Sequence, residues 1–398
     1  MSPAGVALNE NSLVRNDLGV DRIIVPDRSD QSWHSPVSAS ISPQANGPSS
    51  ASPIGEGSFD AFLVQADVDP DDDMDDAAST TSSDMIEPEP DEFPSYFSEH
   101  NRRLFIFHSH GTTYPLPVDG VEWKRLEAEH KGLKILLGNN IYGPIDEVLA
   151  YDDTATREKK VVDLCTGTGT WVLDMARRFE HVQFRGLDLA PIATRYPPDN
   201  VRFEITDVTK PLRFASSSVD FVQARHTMIG TNDYPRMLRE AARILRPGGL
   251  FLSCEWGPYP ALHPAHPSFA NPETYIPHTA NFFRAVRDKF NGKATPIPLL
   301  IPHFIRALGC FAEPVEERFA VPIGRPYIST PEALDDETRD GLAKLGDVFW
   351  NITGGFALGM SMGLGPRVDP MLACEYVRET KEKEGVVGVW HVTWTRKL

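Results

Sequence analysis

Val161-Val162-Asp163-Leu164-Cys165-Thr166-Gly167-Thr168-Gly169-Thr170-Trp171 runs from an apolar stretch through a glycine-spaced turn into the start of a helix. A short apolar run bounded by turn signals reads as a buried strand. Gly167 and Gly169 let the backbone approach a ligand more closely than any Cβ permits. The helix start behind them offers free N–H groups and a positive dipole end, suited to a carboxylate or a phosphate. Spacing excludes two common readings. A dinucleotide fingerprint needs a third Gly where Val172 stands, and no Lys-Ser/Thr pair follows as in an NTPase phosphate loop.

Working outward, Val182–Leu189, Val201–Thr206, Val219–Ala224 and Leu250–Glu255 are further short strands, alternating with helices at Thr170–Phe179 and Tyr234–Leu245. Arg246-Pro247-Gly248-Gly249 should stop the second helix and turn the chain into the next strand. This rhythm predicts an α/β domain with a Rossmann-like, mostly parallel sheet covered on both faces. Glu313–Ile323 and Val386–Thr395 alternate apolar and polar residues and should form an antiparallel closing pair. Val121–Leu137 reads as a helix with Trp123, Leu126, His130, Leu133, Leu136 and Leu137 on one face, either packed on the sheet or covering the ligand mouth. A Pro- and His-rich stretch follows Glu255, ahead of a helix near Thr279–Phe290. Its place beyond a strand's C-terminal edge predicts a substrate lid.

The expected organisation is a disordered tail over 1–95, a helical cover over 96–155, a ligand-binding core over 156–256, a lid over 257–310 and completing strands and helices over 311–398. Residues 1–100 hold 20 acidic side chains against 3 Arg and no Lys, which accounts for the chain's whole formal charge of −17. Such a segment cannot bury enough apolar surface to offset the entropy of ordering. Its apolar islands Val20–Val25 and Phe59–Val64 could fold against a partner or stay solvated. The acidic run from Asp67 fails as a calcium loop, with Asp72 where Gly is needed and Ala78 where Glu is needed. The remainder is charge-balanced, so no field favours nucleic acid. No apolar run reaches the roughly 20 residues of a membrane span, and no secretory leader opens the chain. An intracellular protein of the cytoplasm or nucleus is expected. Cys165, Cys254, Cys310 and Cys374 are too scattered for a zinc or redox pair. His263, His266 and His278 lack a zinc spacing, so no metal is expected.

Two acidic residues sharpen the chemistry. Asp188 ends the second strand about 20 residues beyond the glycines, where a ribose diol is hydrogen-bonded in nucleotide sites. Asp207 follows the third strand, placed to meet an adenine amino group.

DLCTGTGTW, GLDLAP, FEITDVTKPLRFASSSVDFVQARH and LREAARILRPGGLFLSCEW resemble, in that order, the successive motifs of class I S-adenosylmethionine-dependent methyltransferases. YPLPVDGVEWKRLEAEHKGLK and RHTMIGTNDYPRMLREA resemble the LaeA-like group of fungal methyltransferases. The likeness is close from Tyr114 to Trp256 and loose from there to Leu398. It implies S-adenosyl-L-methionine as cofactor, with Asp163, Cys165, Gly167 and Gly169 at its methionine end. Cys165 stands where the family commonly has Gly. The resemblance further implies Asp188 with Leu189 at the ribose, Asp207 with Val208 at the adenine, and Arg225 and His226 facing the reactive methyl. His226 is the candidate general base, or else a histidine bonded to backbone at a strand end. Trp256 and Tyr259, with the later pair Phe349-Trp350, either line an aromatic acceptor pocket or pack in the core or lid. Two functions follow: methylation of O or N on a small-molecule acceptor in secondary metabolism, or a regulator acting through a protein partner bound by the acidic tail.

Overall fold

The computed structural model describes residues 96–106, 114–138, 142–154, 157–231, 233–289, 297–329, 334–365 and 368–398. The tail expected over 1–95 lies outside them. Two short strands, β1 (Phe97–His100) and β2 (Arg103–Ile106), form a hairpin, followed by helices α1 (Gly120–Leu137) and α2 (Ile145–Leu149). Asp119 caps α1 by accepting from the N–H groups of Val121 and Glu122, and Arg103 of β2 donates to the same carboxylate at 2.9 Å. The cap thereby ties the hairpin to the helix it starts.

The core alternates β3 (Lys159–Leu164), α3 (Thr170–Arg178), β4 (Val182–Asp188), β5 (Val201–Ile205), β6 (Val219–Arg225), α4 (Tyr234–Ile244) and β7 (Leu245–Trp256). β8 (Ala261–Leu262), α5 (Pro272–Tyr275), α6 (Pro277–Lys289) and α7 (Ile297–Leu308) follow. The chain closes with β9 (Val315–Pro322), α8 (Asp336–Leu364), α9 (Pro370–Glu382) and β10 (Val386–Arg396). In the eight-stranded sheet the order is β5-β4-β3-β6-β7-β10-β8, with β9 also on β10. The strands from β5 to β7 are mutually parallel. β10 runs antiparallel between β7 and β9, with Val392 opposite Cys254 and Val389 opposite Ala320. The expected closing pair is present, and its later strand is the one inserted beside the parallel core.

Strand alternation divides the core between two faces. Val161 and Phe221 point to a cluster with Leu133 of α1, Met175 of α3 and Phe349 of α8. Val162, Leu164 and Val222 point to Leu238 of α4 and Ile305 of α7. All of these β3 and β6 side chains are fully buried, each contributing about 1.5–3 kcal/mol.

Three local departures have physical causes. β7 starts at Leu245, because the residues expected as a turn join the ladder (Val219 opposite Leu245) before a register shift, with Gly248 at φ 77°. β3 ends at Leu164, and Cys165 adopts φ 58°. Trp123 is 39% exposed, its indole N–H donating to Val118 O at 3.0 Å, while Glu122 and Glu129 take the buried face of α1.

Candidate functional site

A cleft opens at the C-terminal ends of β3, β4, β5 and β6, where β3 has β4 on one side and β6 on the other. Ligands bind open α/β sheets at this kind of switch point. The turn after β3 forms its floor. Cys165 and Gly167 both sit at positive φ, 58° and 56°, so Cys165 occupies a conformation that favours the Gly commonly found there. A Cβ on Gly167 would meet only Leu126 Cδ1, at 3.8 Å, whereas on Gly169 it would lie 2.6 Å from Phe203 Cε1. Gly167 thus faces the cleft and Gly169 faces the sheet. Gly169, at φ 75°, is the residue from which α3 begins.

Asp188 closes the turn: Gly167 N–H donates to Oδ2 at 2.7 Å and Ala190 N–H to Oδ1 at 3.0 Å. Burial pushes its carboxyl upward, and these backbone donors offset part of the rise. Asp163 Oδ2 accepts from Thr166 Oγ at 2.8 Å. Its Oδ1 is buried with no hydrogen-bond partner among the described residues. Burial pushes this carboxyl up to about 7, against the Thr166 bond and the Arg225 charge. Such a group favours a cationic ligand, which would lower it again.

At the tip of β6, Arg225 Nη1 lies 3.2 Å from His130 Nδ1, and His130 Nε2 lies 3.1 Å from Asp174 Oδ2. Burial, and then Arg225, push His130 down to about 4. It is therefore neutral: Nδ1 accepts from the guanidinium and Nε2–H donates to Asp174. His226 follows at φ 56°, its N–H bonded to Cys254 O at 3.0 Å and its ring 5.0 Å from that of Trp390.

Asp163, Cys165, Gly167, Asp188, Leu189, Val208, Arg225 and His226, of the residues singled out by sequence, line this cleft. Asp207 does not; its Oδ1 accepts from Thr209 N–H and Oγ at 3.0 and 2.6 Å. Trp256 and Tyr259 also lie off the lining. The Trp256 indole donates to Glu129, which does line it, and its ring meets Trp390 and Phe349. None of the described residues of 257–310 lines the cleft. β8 pairs with β10, α6 packs on α9, and α7 packs on α4. His278 pairs with Glu375, and His266 packs against Tyr275 and Tyr327.

The opposite wall comes from Tyr114 and α1, through Glu122, Leu126, Glu129 and His130. Arg125 bridges the two glutamates, with Nη2 to Glu122 Oε1 at 2.7 Å and Nη1 to Glu129 Oε2 at 2.9 Å. Sequence reading placed Leu126 and His130 on this face of the helix but passed over Glu122, Arg125 and Glu129, whose charges suit a solvated side. The available signal was the spacing of Glu122, Leu126, Glu129 and Leu133, which sets two carboxylates on the apolar stripe.

In the sheet the antiparallel β10 lies between β7 and β9, and residues 161–249 match the family model described as a methyltransferase domain. That span carries a methyltransferase domain. Its relatives extend the likeness. The secondary metabolism regulator laeA of Coprinopsis cinerea is 34% identical over 161 residues, 40% of this chain and 37% of that protein. Methyltransferase str2 of Strobilurus tenacellus is 30% identical over 141 residues, 35% and 48% of the two chains. Methyltransferase pytC of Aspergillus terreus is 33% identical over 156 residues, 39% and 44%. These matches span less than half the length of the curated relatives. No helix among the described residues is long and apolar enough to cross a membrane.

The donor set fits S-adenosyl-L-methionine. Asp163 and Arg225 offer opposite charges for an amino-acid end, Asp188 offers a fixed acceptor for a ribose, and Leu189, Ile192 and Val208 offer apolar surface for a base.

Proposed function

We propose that the cleft binds S-adenosyl-L-methionine and that the domain transfers its methyl group to an oxygen or nitrogen of a small molecule of specialised metabolism. The observation that carries this reading is Asp188, whose carboxylate is fixed 2.7 Å from the Gly167 N–H on the cleft wall, where a ribose beside the glycine turn would meet it. Asp163 and Arg225 then hold the methionine end, and Val208, with Asp207 behind it, borders the adenine. When bound, the cofactor supplies an electrophilic methyl group, which demands in-line approach in a dry site. His226 accepts the proton of an acceptor hydroxyl. Trp256 shapes the acceptor side through Glu129, with Tyr259 beyond it.

Calorimetry with S-adenosylhomocysteine tests the cofactor assignment; absence of binding sinks it. A metabolite screen with labelled methyl donor then identifies the acceptor. For a hydroxyl acceptor, His226→Ala should slow turnover by roughly 10²–10⁴-fold with cofactor affinity intact. A parallel loss of affinity would make His226 a pocket-shaping residue.

Similarity to a regulator favours a second reading, in which the acidic segment engages a protein partner in the cytoplasm or nucleus. Deleting residues 1–95 separates the two: an enzyme keeps its turnover, and a regulator loses its partner.

A further inference from the structure

Consecutive residues of α1, Glu129 and His130, meet consecutive residues at the tip of β6, His226 and Arg225. Glu129 is 2% exposed. Its Oε2 accepts from Arg125 Nη1 at 2.9 Å, and its Oε1 accepts the Trp256 indole N–H. That same Oε1 lies 3.5 Å from His226 Nε2. Donors from α1 and β7 therefore fix the carboxylate before it reaches the imidazole. His226 is equally constrained: it holds a left-handed backbone conformation rare outside glycine, and strain of this kind gathers at functional sites.

We propose that Glu129 is a positioning residue for His226, holding Nε2–H so that Nδ1 is the proton acceptor and pairing with the imidazolium that forms. This rests on the methyl-transfer reading of the cleft. The charged and titratable groups facing the ring are Glu129, Arg125 and His130 from α1 and Arg225 beside it on β6. Burial pushes His226 down, with only Glu129 pulling upward, so the resting ring is neutral and carries one N–H. Burial also works against the charge on Glu129, but the fixed charges of Arg125 and Arg225 and the Trp256 bond oppose it and favour the carboxylate. An ionised carboxylate beside one ring nitrogen of a neutral imidazole selects the tautomer protonated there.

The resulting step balances. An acceptor hydroxyl oxygen forms the new bond to the methyl carbon, the electron pair of the broken C–S bond returns to sulfur, and the hydroxyl proton moves to His226 Nδ1. The positive charge that began on sulfur ends on the imidazolium, facing Glu129.

The test needs no acceptor. In protein carrying ring-¹⁵N histidine, two-bond ¹H–¹⁵N correlations near neutral pH report each tautomer, with His226→Asn supplying the assignment. The parent should show His226 protonated at Nε2. Glu129→Gln, whose amide oxygen can still accept, should keep that tautomer, and Glu129→Leu should shift the ring towards the Nδ1–H form. A cooperative melt and a parent-like circular dichroism spectrum on the same samples mark a folded domain. An Nδ1–H ring in the parent overturns the proposal even if the Leu variant fails to fold. So does an unchanged tautomer in a folded Leu variant. Failure of the parent to bind S-adenosylhomocysteine would instead sink the methyl-transfer reading and leave the tautomer result standing by itself.

Discussion

Gly167→Ala and Gly169→Ala place the same methyl group two residues apart and should differ in kind. Both backbones are left-handed, at φ 56° and 75°, so each substitution carries about 1–2 kcal/mol of conformational cost. At Gly167 the added Cβ meets only Leu126 Cδ1, at 3.8 Å, and nothing further is lost. At Gly169 it would sit 2.6 Å from Phe203 Cε1, and Phe203 also lies against the backbone of Gly186, where a Cβ would find its Cδ1 at the same 2.6 Å. The ring has little room to yield, which adds about 1–3 kcal/mol of overpacking. Gly169→Ala should therefore destabilise by about 2–5 kcal/mol in total. Urea denaturation with an unchanged slope measures both variants. Binding should reverse the order: the Gly167 methyl enters the cleft, so S-adenosylhomocysteine affinity falls further there than in folded Gly169→Ala. Equal destabilisation within about 0.5 kcal/mol, or equal binding loss, would refute the division into one cleft-facing and one sheet-facing glycine.

Asp188→Asn should weaken S-adenosylhomocysteine binding about 10–100-fold by calorimetry, because a charged acceptor is replaced by a half-donor; unchanged affinity would remove Asp188 from the ribose site. Glu255 is buried, with Oε1 accepting from Thr227 N–H and Oγ at 2.8 and 2.6 Å, and burial pushes it from the ordinary 4.5 up to about 7 despite those bonds. A raised carboxyl favours the protonated fold, so its contribution is complete below about 4.5 and is lost as pH rises to about 7, roughly 3 kcal/mol in all. Glu255→Gln can keep both Thr227 bonds without titrating. Its stability relative to the parent should therefore rise across that window in urea titrations, while Asp163, common to both, leaves the difference untouched. A flat difference would show that Glu255 titrates normally. Deleting residues 1–95 should move the melting midpoint by less than about 5 °C; a larger drop would mean that the segment packs on the domain.

The sequence by itself determined what depends on neighbours along the chain. The strand, glycine turn and helix at 161–171, the strand rhythm through Glu255 and the Asp at the end of β4 are local patterns whose periods and breakers survive any packing. They placed the cleft and most of its floor. Tertiary structure decided the opposite wall. Glu122, Arg125 and Glu129 become site residues only because α1 lays that face over β6, where Arg125 compensates two buried carboxylates and Trp256 and His226 meet one of them. No helical period distinguishes a charged side chain facing water from one facing a buried partner 97 residues away in sequence, the separation of Glu129 and His226. Tertiary packing likewise formed α8, a 29-residue helix whose stretch GGFALGMSMGLG hides its period behind glycines. Gly363 and Gly346 admit the backbones of Pro115 and Gly324, where any Cβ would collide. It is contact with those distant segments that makes glycine the fitting residue there.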